Sequence, residues 1–307
     1  MISLPVSKIM ESEISHIPVM AEEVGNLLVW REEGVYVDGT VGEGGHTKFL
    51  LERFPRIRIV GIDWDGEILD IARRRLWEFG ERVILIEGNF SDLPGLLRKL
   101  GMEKVEGVLL DLGLSSFHLE KSGRGFSFSR EDFLDMRYSS RIPRKAWDIV
   151  NFCSREELES IFLHFGEEKR ARDISRWIVQ EREKGRINTA SELRDIINRR
   201  IKKRGRIDPS TRVFQALRIA VNRELENLKI FLEELPYTLR AMGRVVIISY
   251  HSLEDRIVKK KFKEWSEQGI FEVLTPQPLT PSPVEIAVNP RSRSAKLRGA
   301  RLIERMD

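Results

Sequence analysis

Residues 38–45 read Asp-Gly-Thr-Val-Gly-Glu-Gly-Gly, four glycines in eight positions, a density that marks a tight backbone turn. An acid, Asp63, follows 21 residues after Gly42. A glycine turn leaving the first strand of an α/β sheet, with an acid closing the second strand about 20 residues later, is how such sheets hold a nucleoside. The ionised carboxylate accepts hydrogen bonds from the ribose 2′- and 3′-hydroxyls. A nicotinamide dinucleotide asks for G-x-G-x-x-G, but here Gly42 and Gly44 are followed by Thr47, a side chain where backbone should approach the pyrophosphate. Two more residues fall at the ends of later strands. Phe90 is suited either to an adenine face or to the core. Asp111 follows a buried Val-Leu-Leu run, where a carboxylate needs a hydrogen-bonding partner.

The elements that must position these groups follow from hydrophobic period. Short apolar runs alternate with helical patterns from Gly34 to Asp111, the signature of βαβ units and a parallel sheet. Strands are expected at 35–38, 57–63, 83–86 and 105–110, with helices over 46–53, 67–79 and 92–100. The next run that reads as a buried parallel strand is 244–250, about 130 residues further on, whereas a crossover needs only about a dozen. Capping boxes, Ser154 with Glu157 and Thr189 with Glu192, open amphipathic helices in that interval. The expected architecture is a Rossmann-like, mostly parallel sheet domain of the class I S-adenosylmethionine-dependent methyltransferase kind. It is built from residues 1–113 and 213–307 and interrupted between strands 4 and 5 by an all-helical domain over 114–212. Read from Asp38 as D-x-T-x-G-x-G, the glycine loop suits S-adenosylmethionine, which has no pyrophosphate, better than a dinucleotide.

With 41% hydrophobic and 33% charged residues, the 307-residue chain can bury a sizeable core, which excludes disorder. It has neither an apolar run of 18 residues nor a charged leader followed by an apolar stretch, so no membrane span or secretory signal is expected and the cytoplasm is the expected location. One cysteine, Cys153, and five histidines without ligand spacing give no expectation of a metal. Charge is uneven. Residues 121–218 hold 24 Lys+Arg against 15 Asp+Glu, a net of +9, which leaves −5 for the rest of a chain whose total is +4. The runs at 199–206 and 291–298 are the densest basic stretches, suited to phosphates or to a solvated face.

Seven motifs occur in order: HIPVM at 16–20, DGTVGEGGHT at 38–47, LDLGLSS at 110–116, RGFSF at 124–128, LDMR at 134–137, SYHSLEDR at 249–256 and RSRSAKLR at 291–298. Together, over residues 16 to 305, they resemble the ribosomal RNA small subunit methyltransferase H family. The resemblance implies S-adenosyl-L-methionine-dependent methylation of the exocyclic N4 of one cytidine in the decoding region of 16S rRNA, with that RNA, within the small ribosomal subunit, as partner. A homodimer is compatible with it. It also implies a cofactor site made by Gly44, Gly45, His46, Asp63, Phe90, Asp111 and His118. Two stretches depart from the family pattern, 129–133 and 261–262, where local packing rather than activity is in question.

Methyl transfer from a sulfonium is an in-line displacement, so the protein must chiefly align the amine and exclude water. The cytosine amine is conjugated and weakly nucleophilic, and acceptors on its N–H groups would free its lone pair. Asp111 is the first candidate acceptor, with Ser115, Ser116, Tyr250 and His251 as alternatives because both segments follow strands. Methylation at carbon 5 is excluded, since it needs a cysteine nucleophile and Cys153 reads as an apolar filler inside the insertion. The zinc signature of the deaminases is missing. Phe126, Phe128 and Tyr138, flanked by arginines, suit either base stacking or anchoring of the insertion. Two other functions stay open: an NAD-dependent oxidoreductase, and a non-catalytic RNA-binding assembly factor that retains a cofactor pocket.

Overall fold

The computed structural model describes residues 18–201 and 208–303. His16 and Ile17 of the first motif, and residues 202–206 of the basic run, lie outside the described residues. Seven strands form one sheet in the order β3-β2-β1-β4-β5-β7-β6. They are β1 (Gly34–Asp38), β2 (Ile57–Asp63), β3 (Val83–Glu87), β4 (Val105–Asp111), β5 (Leu239–Ser249), β6 (Phe271–Val273) and β7 (Lys296–Leu302). The first five are parallel and β7 runs antiparallel between β5 and β6. This is the class I S-adenosylmethionine-dependent methyltransferase fold that the strand pattern led one to expect.

The helices of the first part are α1 (Ala21–Leu28), α2 (Gly45–Arg53), α3 (Gly66–Leu76), α4 (Leu93–Lys99) and α5 (Ser116–Glu120). The inserted part holds α6 (Ala146–Phe152), α7 (Arg155–Gly166), α8 (Ala171–Arg182), α9 (Ala190–Asn198) and α10 (Thr211–Asn222). Then come α11 (Glu224–Thr238), α12 (Ser252–Glu267) and α13 (Pro283–Val288). Six of the seven residues of β4 are buried, as a parallel strand covered on both faces must be. Tyr36, Leu50, Ile57, Ile59, Leu109, Val246 and Ile248 make the centre of the core. Because β2 and β4 pair with β1 on opposite sides, the chain reverses direction across the sheet at the carboxyl end of β1, where open α/β sheets bind ligands.

The chain forms two compact units, one of the described residues up to Ser116 and from Ile230 onward, the other Phe117–Lys229. The second unit extends beyond the return expected at Arg212. Helix α10 buries Val213, Phe214, Leu217 and Val221, and it packs on α7, whose Gly166 lies so close to the Arg212 carbonyl that a β-carbon would come within 2.6 Å. Asn222 at the end of α10 then bonds the Met136 carbonyl at 2.8 Å and accepts from the Tyr138 amide at 2.8 Å. Both capping boxes expected in the insertion are formed: Ser154 Oγ accepts the Glu157 amide and Thr189 Oγ1 that of Glu192. Among the described residues no helix is long and apolar enough to cross a membrane.

Candidate cofactor site and the groups around it

Strand β1 ends in Asp38, and the chain must turn at once into α2. Two positive-φ glycines make the turn, Gly42 at 51° and Gly44 at 83°, and a side chain on Gly44 would press on Leu76. Gly39 lies against Leu110, where a β-carbon would approach to 2.5 Å. Asp63, at the end of β2, shapes the loop it faces: its carboxylate accepts from the Gly42 amide at 2.9 Å and the Asp65 amide at 3.0 Å. The acid assigned to the ribose therefore also holds the glycine turn. On the other side, Thr40 Oγ1 accepts the Asp111 amide at 2.6 Å and ties the loop to the end of β4.

Three titratable groups converge beneath the turn. Asp38 is 2% exposed and accepts from Thr47 Oγ1 at 2.8 Å and from the Thr40 amide at 3.3 Å. Burial pushes its carboxyl up to about 6, against the opposing pull of His46, Thr47 and Thr40. His46, in the first turn of α2, is 5% exposed, and its Nε2 is 3.4 Å from an Asp111 carboxylate oxygen. Among the described residues neither ring nitrogen has a hydrogen-bond partner. A buried imidazole left in that state is costly, so it fits a ligand carrying polar groups of its own, as S-adenosylmethionine does.

Asp111 meets a second partner from the turn that follows β5. Tyr250 hydrogen-bonds it, and burial followed by the nearby Asp111 charge raises the Tyr250 hydroxyl well above the usual phenol range, so it stays a donor. The Tyr250 ring lies on Gly113, where a β-carbon would come within 2.8 Å of it. The turn carrying Tyr250 is held from below by Glu254, which accepts the amides of Tyr250 at 3.0 Å and His251 at 3.3 Å. His251 caps α12, its Nδ1 accepting from the Glu254 amide at 3.3 Å. Ser116 Oγ accepts from Arg291 at 2.6 Å, while Ser115 is half-buried in the turn ahead of α5. Phe90 is half-buried, edge-on to Phe231 with centroids 5.8 Å apart.

The structure thus brings Gly44, Gly45, His46, Asp63, Phe90, Asp111, Ser115, Ser116, Tyr250 and His251 into the same compact unit. His118 belongs to the other unit, where its ring packs on Phe126 and Tyr138, each 5.1 Å away. Phe126 is buried and stacked on Tyr138, and Arg124 donates to the Arg137 and Tyr138 carbonyls, so these motifs interlock within the insertion, with Phe128 and Tyr138 half-buried. The tail run is likewise engaged: Arg298 and Lys296 pair with Asp255 at 2.7 and 3.2 Å, and although burial opposes it, they hold its carboxyl below the usual range. Sequence reasoning passed over Asp38, Thr40 and Glu254 as site residues. Glu254 was recoverable as the third residue of a helix beginning after His251, the capping-box position.

Comparisons with known proteins bear on this site. A profile described as the MraW methylase family matches residues 13–303. The chain is 46% identical over 289 residues to the ribosomal RNA small subunit methyltransferase H of Coprothermobacter proteolyticus, covering 94% of this chain and 96% of that protein. It is 47% identical over 285 residues to the protein of the same name from Endomicrobium trichonymphae, covering 93% and 98%. Among solved structures it is similar to an rRNA methylase from Streptococcus thermophilus, at 12% identity and a TM-score of 0.41 over 92% of this chain and 94% of that one.

Proposed function

From the premise that this chain belongs to the MraW methylase family and is an S-adenosyl-L-methionine-dependent rRNA methyltransferase, we propose that its target is the exocyclic N4 of one cytidine in the decoding region of 16S rRNA. With S-adenosyl-L-methionine as the cofactor, the nicotinamide alternative falls away. The single observation that carries the N4 reading is the half-buried Asp111–Tyr250 pair beside the glycine turn. When bound, the cofactor supplies a methyl group on a positive sulfur, open to in-line attack. Asp63 and the glycine turn would hold the nucleoside end, where His46 would meet the polar partners it lacks among the described residues. Phe90 would lie at the adenine side.

Asp111 accepts a hydrogen bond from the target amine, which localises the nitrogen lone pair, and takes up the proton that the amine releases. Tyr250 stays protonated, donates to Asp111 and fixes the direction of its carboxylate. Ser115 offers a second acceptor from the same turn; Ser116 and His251, engaged with Arg291 and Glu254, keep the two segments in place. No cysteine takes part, in keeping with attack by nitrogen and not by ring carbon. The substrate is taken up as 16S rRNA within the small subunit, in the cytoplasm, through the basic inserted unit Phe117–Lys229.

The test is to incubate the purified chain with small-subunit RNA, and with assembled subunits, in the presence of S-adenosylmethionine labelled in its methyl group, then digest and map the label. The expected product is N4-methylcytidine at one decoding-region position. Label on carbon 5, on another base or on no RNA at all would overturn the reading. Asp111→Ala should lower turnover by about a hundredfold or more.

A further inference from the structure

We propose that Phe133, Trp147 and Phe152, with Lys145 and Arg186, form a preassembled face for unpaired RNA on the inserted helical unit. The inference rests on the reading of the chain as an rRNA methyltransferase and goes beyond it, because these residues belong to none of the cofactor or amine-orienting groups. The three rings form a continuous row: Phe133 to Trp147 is 6.2 Å between centroids and Trp147 to Phe152 is 5.3 Å. Phe133 is 42% and Phe152 57% exposed, so much of the row faces solvent. Aromatics gathered at the surface in this way have an unfavourable hydration that a partner would relieve.

Cations stand at both ends of the row. The Lys145 ammonium lies 5.3 Å from the Phe133 centroid, and the Arg186 guanidinium 4.6 Å from that of Phe152. Asp148, the acid on the same helix, is turned back onto the Lys145 amide at 2.7 Å. A row of rings flanked by cations matches unpaired RNA, whose bases stack on aromatic faces while their phosphates meet the charges. The surrounding stretch 121–218, with its net charge of +9, has the complementary sign.

The face is stiff. Three separate segments meet in it and are sewn together by hydrogen bonds. Asn151 bonds Ile187 in both directions, at 2.9 and 3.0 Å. The Trp147 amide donates to Leu134 and the Leu134 amide to Asn188, while the Trp147 indole N–H donates to Asn188 at 3.0 Å. Phe133 pairs with Thr189 as an isolated bridge. A surface held in place by buried backbone bonds loses little entropy when it binds, which a purely packing role for exposed rings would not require.

The experiment uses the full chain and a fluorescein-labelled, unpaired 12-nucleotide RNA, alongside small-subunit RNA and assembled subunits. Phe152→Ala is expected to weaken oligonucleotide binding about tenfold. Arg186→Gln should weaken it and reduce the salt slope of log K by about one. Both should raise KM for small-subunit RNA while S-adenosylmethionine affinity and the far-ultraviolet dichroism stay as in the parent. RNA should also quench a share of the tryptophan emission that Trp147→Phe removes. Unchanged RNA affinity and KM in both exposed-residue variants would overturn the proposal. So would a loss seen only with assembled subunits, which would make this a protein-binding face. If the parent transfers no methyl group to RNA, the functional reading fails separately, and the oligonucleotide titration still decides whether this face binds RNA.

Discussion

Asp38 sits 2% exposed against His46 and Asp111, and burial raises its carboxyl from 3.8 to about 6. Between those values the folded chain keeps a proton that the unfolded chain has released. The stability Asp38 contributes is therefore full below about pH 4 and is lost as the pH rises through 6, on the order of 3 kcal/mol in total. Asp38→Asn should flatten the decline of the melting midpoint between pH 4 and 6, measured by scanning calorimetry; a slope equal to the parent's would show that another group titrates there. That Asp38 begins the D-x-T-x-G-x-G loop was legible in sequence. Its burial against Asp111 was not, because the two belong to strands more than 70 residues apart in the chain, and only pairing in the sheet brings them side by side.

At the scale of elements, β1 to β4 and the helices between them were legible because each short strand reads as a continuous apolar run, β2 and β4 being buried on both faces while β3, at the edge of the sheet, is only half-covered. Strands β6 and β7 were not. Lys296–Leu302 reads as a basic tail, and it becomes a strand through antiparallel pairing with β5 and through the Asp255 ion pairs that hold Lys296 and Arg298. The return of the insertion was placed too early for a similar reason: the apolar stripe of α10 is visible in sequence, but not that it packs on α7. Gly113 joins element to chemistry. Gly113→Ala would drive a methyl group into the Tyr250 ring, within 2.8 Å of it, and displace the tyrosine from Asp111. The expected result is a fall in kcat of about tenfold to a hundredfold, as small misplacements produce, with a melting midpoint only a few degrees lower. An unaltered kcat would mean that the position of Tyr250 has no bearing on transfer.

For the whole molecule, charge divides the labour. The basic excess lies in 121–218 and the remainder of the chain is net acidic. RNA affinity should accordingly fall steeply as salt rises from 50 to 200 mM, whereas affinity for S-adenosylmethionine, which has no phosphates to neutralise, should barely move; equal salt slopes for the two ligands would refute this separation. The sequence by itself determined the parallel strands of the sheet, the glycine turn, the acid that closes β2 and the presence of a basic helical insertion, since local period, glycine spacing and charge are properties of neighbours along the chain. Only the tertiary structure decided that Asp63 braces the loop, that Tyr250 is set on Asp111, that Phe126 is interior and that Phe133, Trp147 and Phe152 share a surface. Those relations join residues distant in the chain, and their free energy comes from burial and hydrogen-bond satisfaction that exist only once the segments have met.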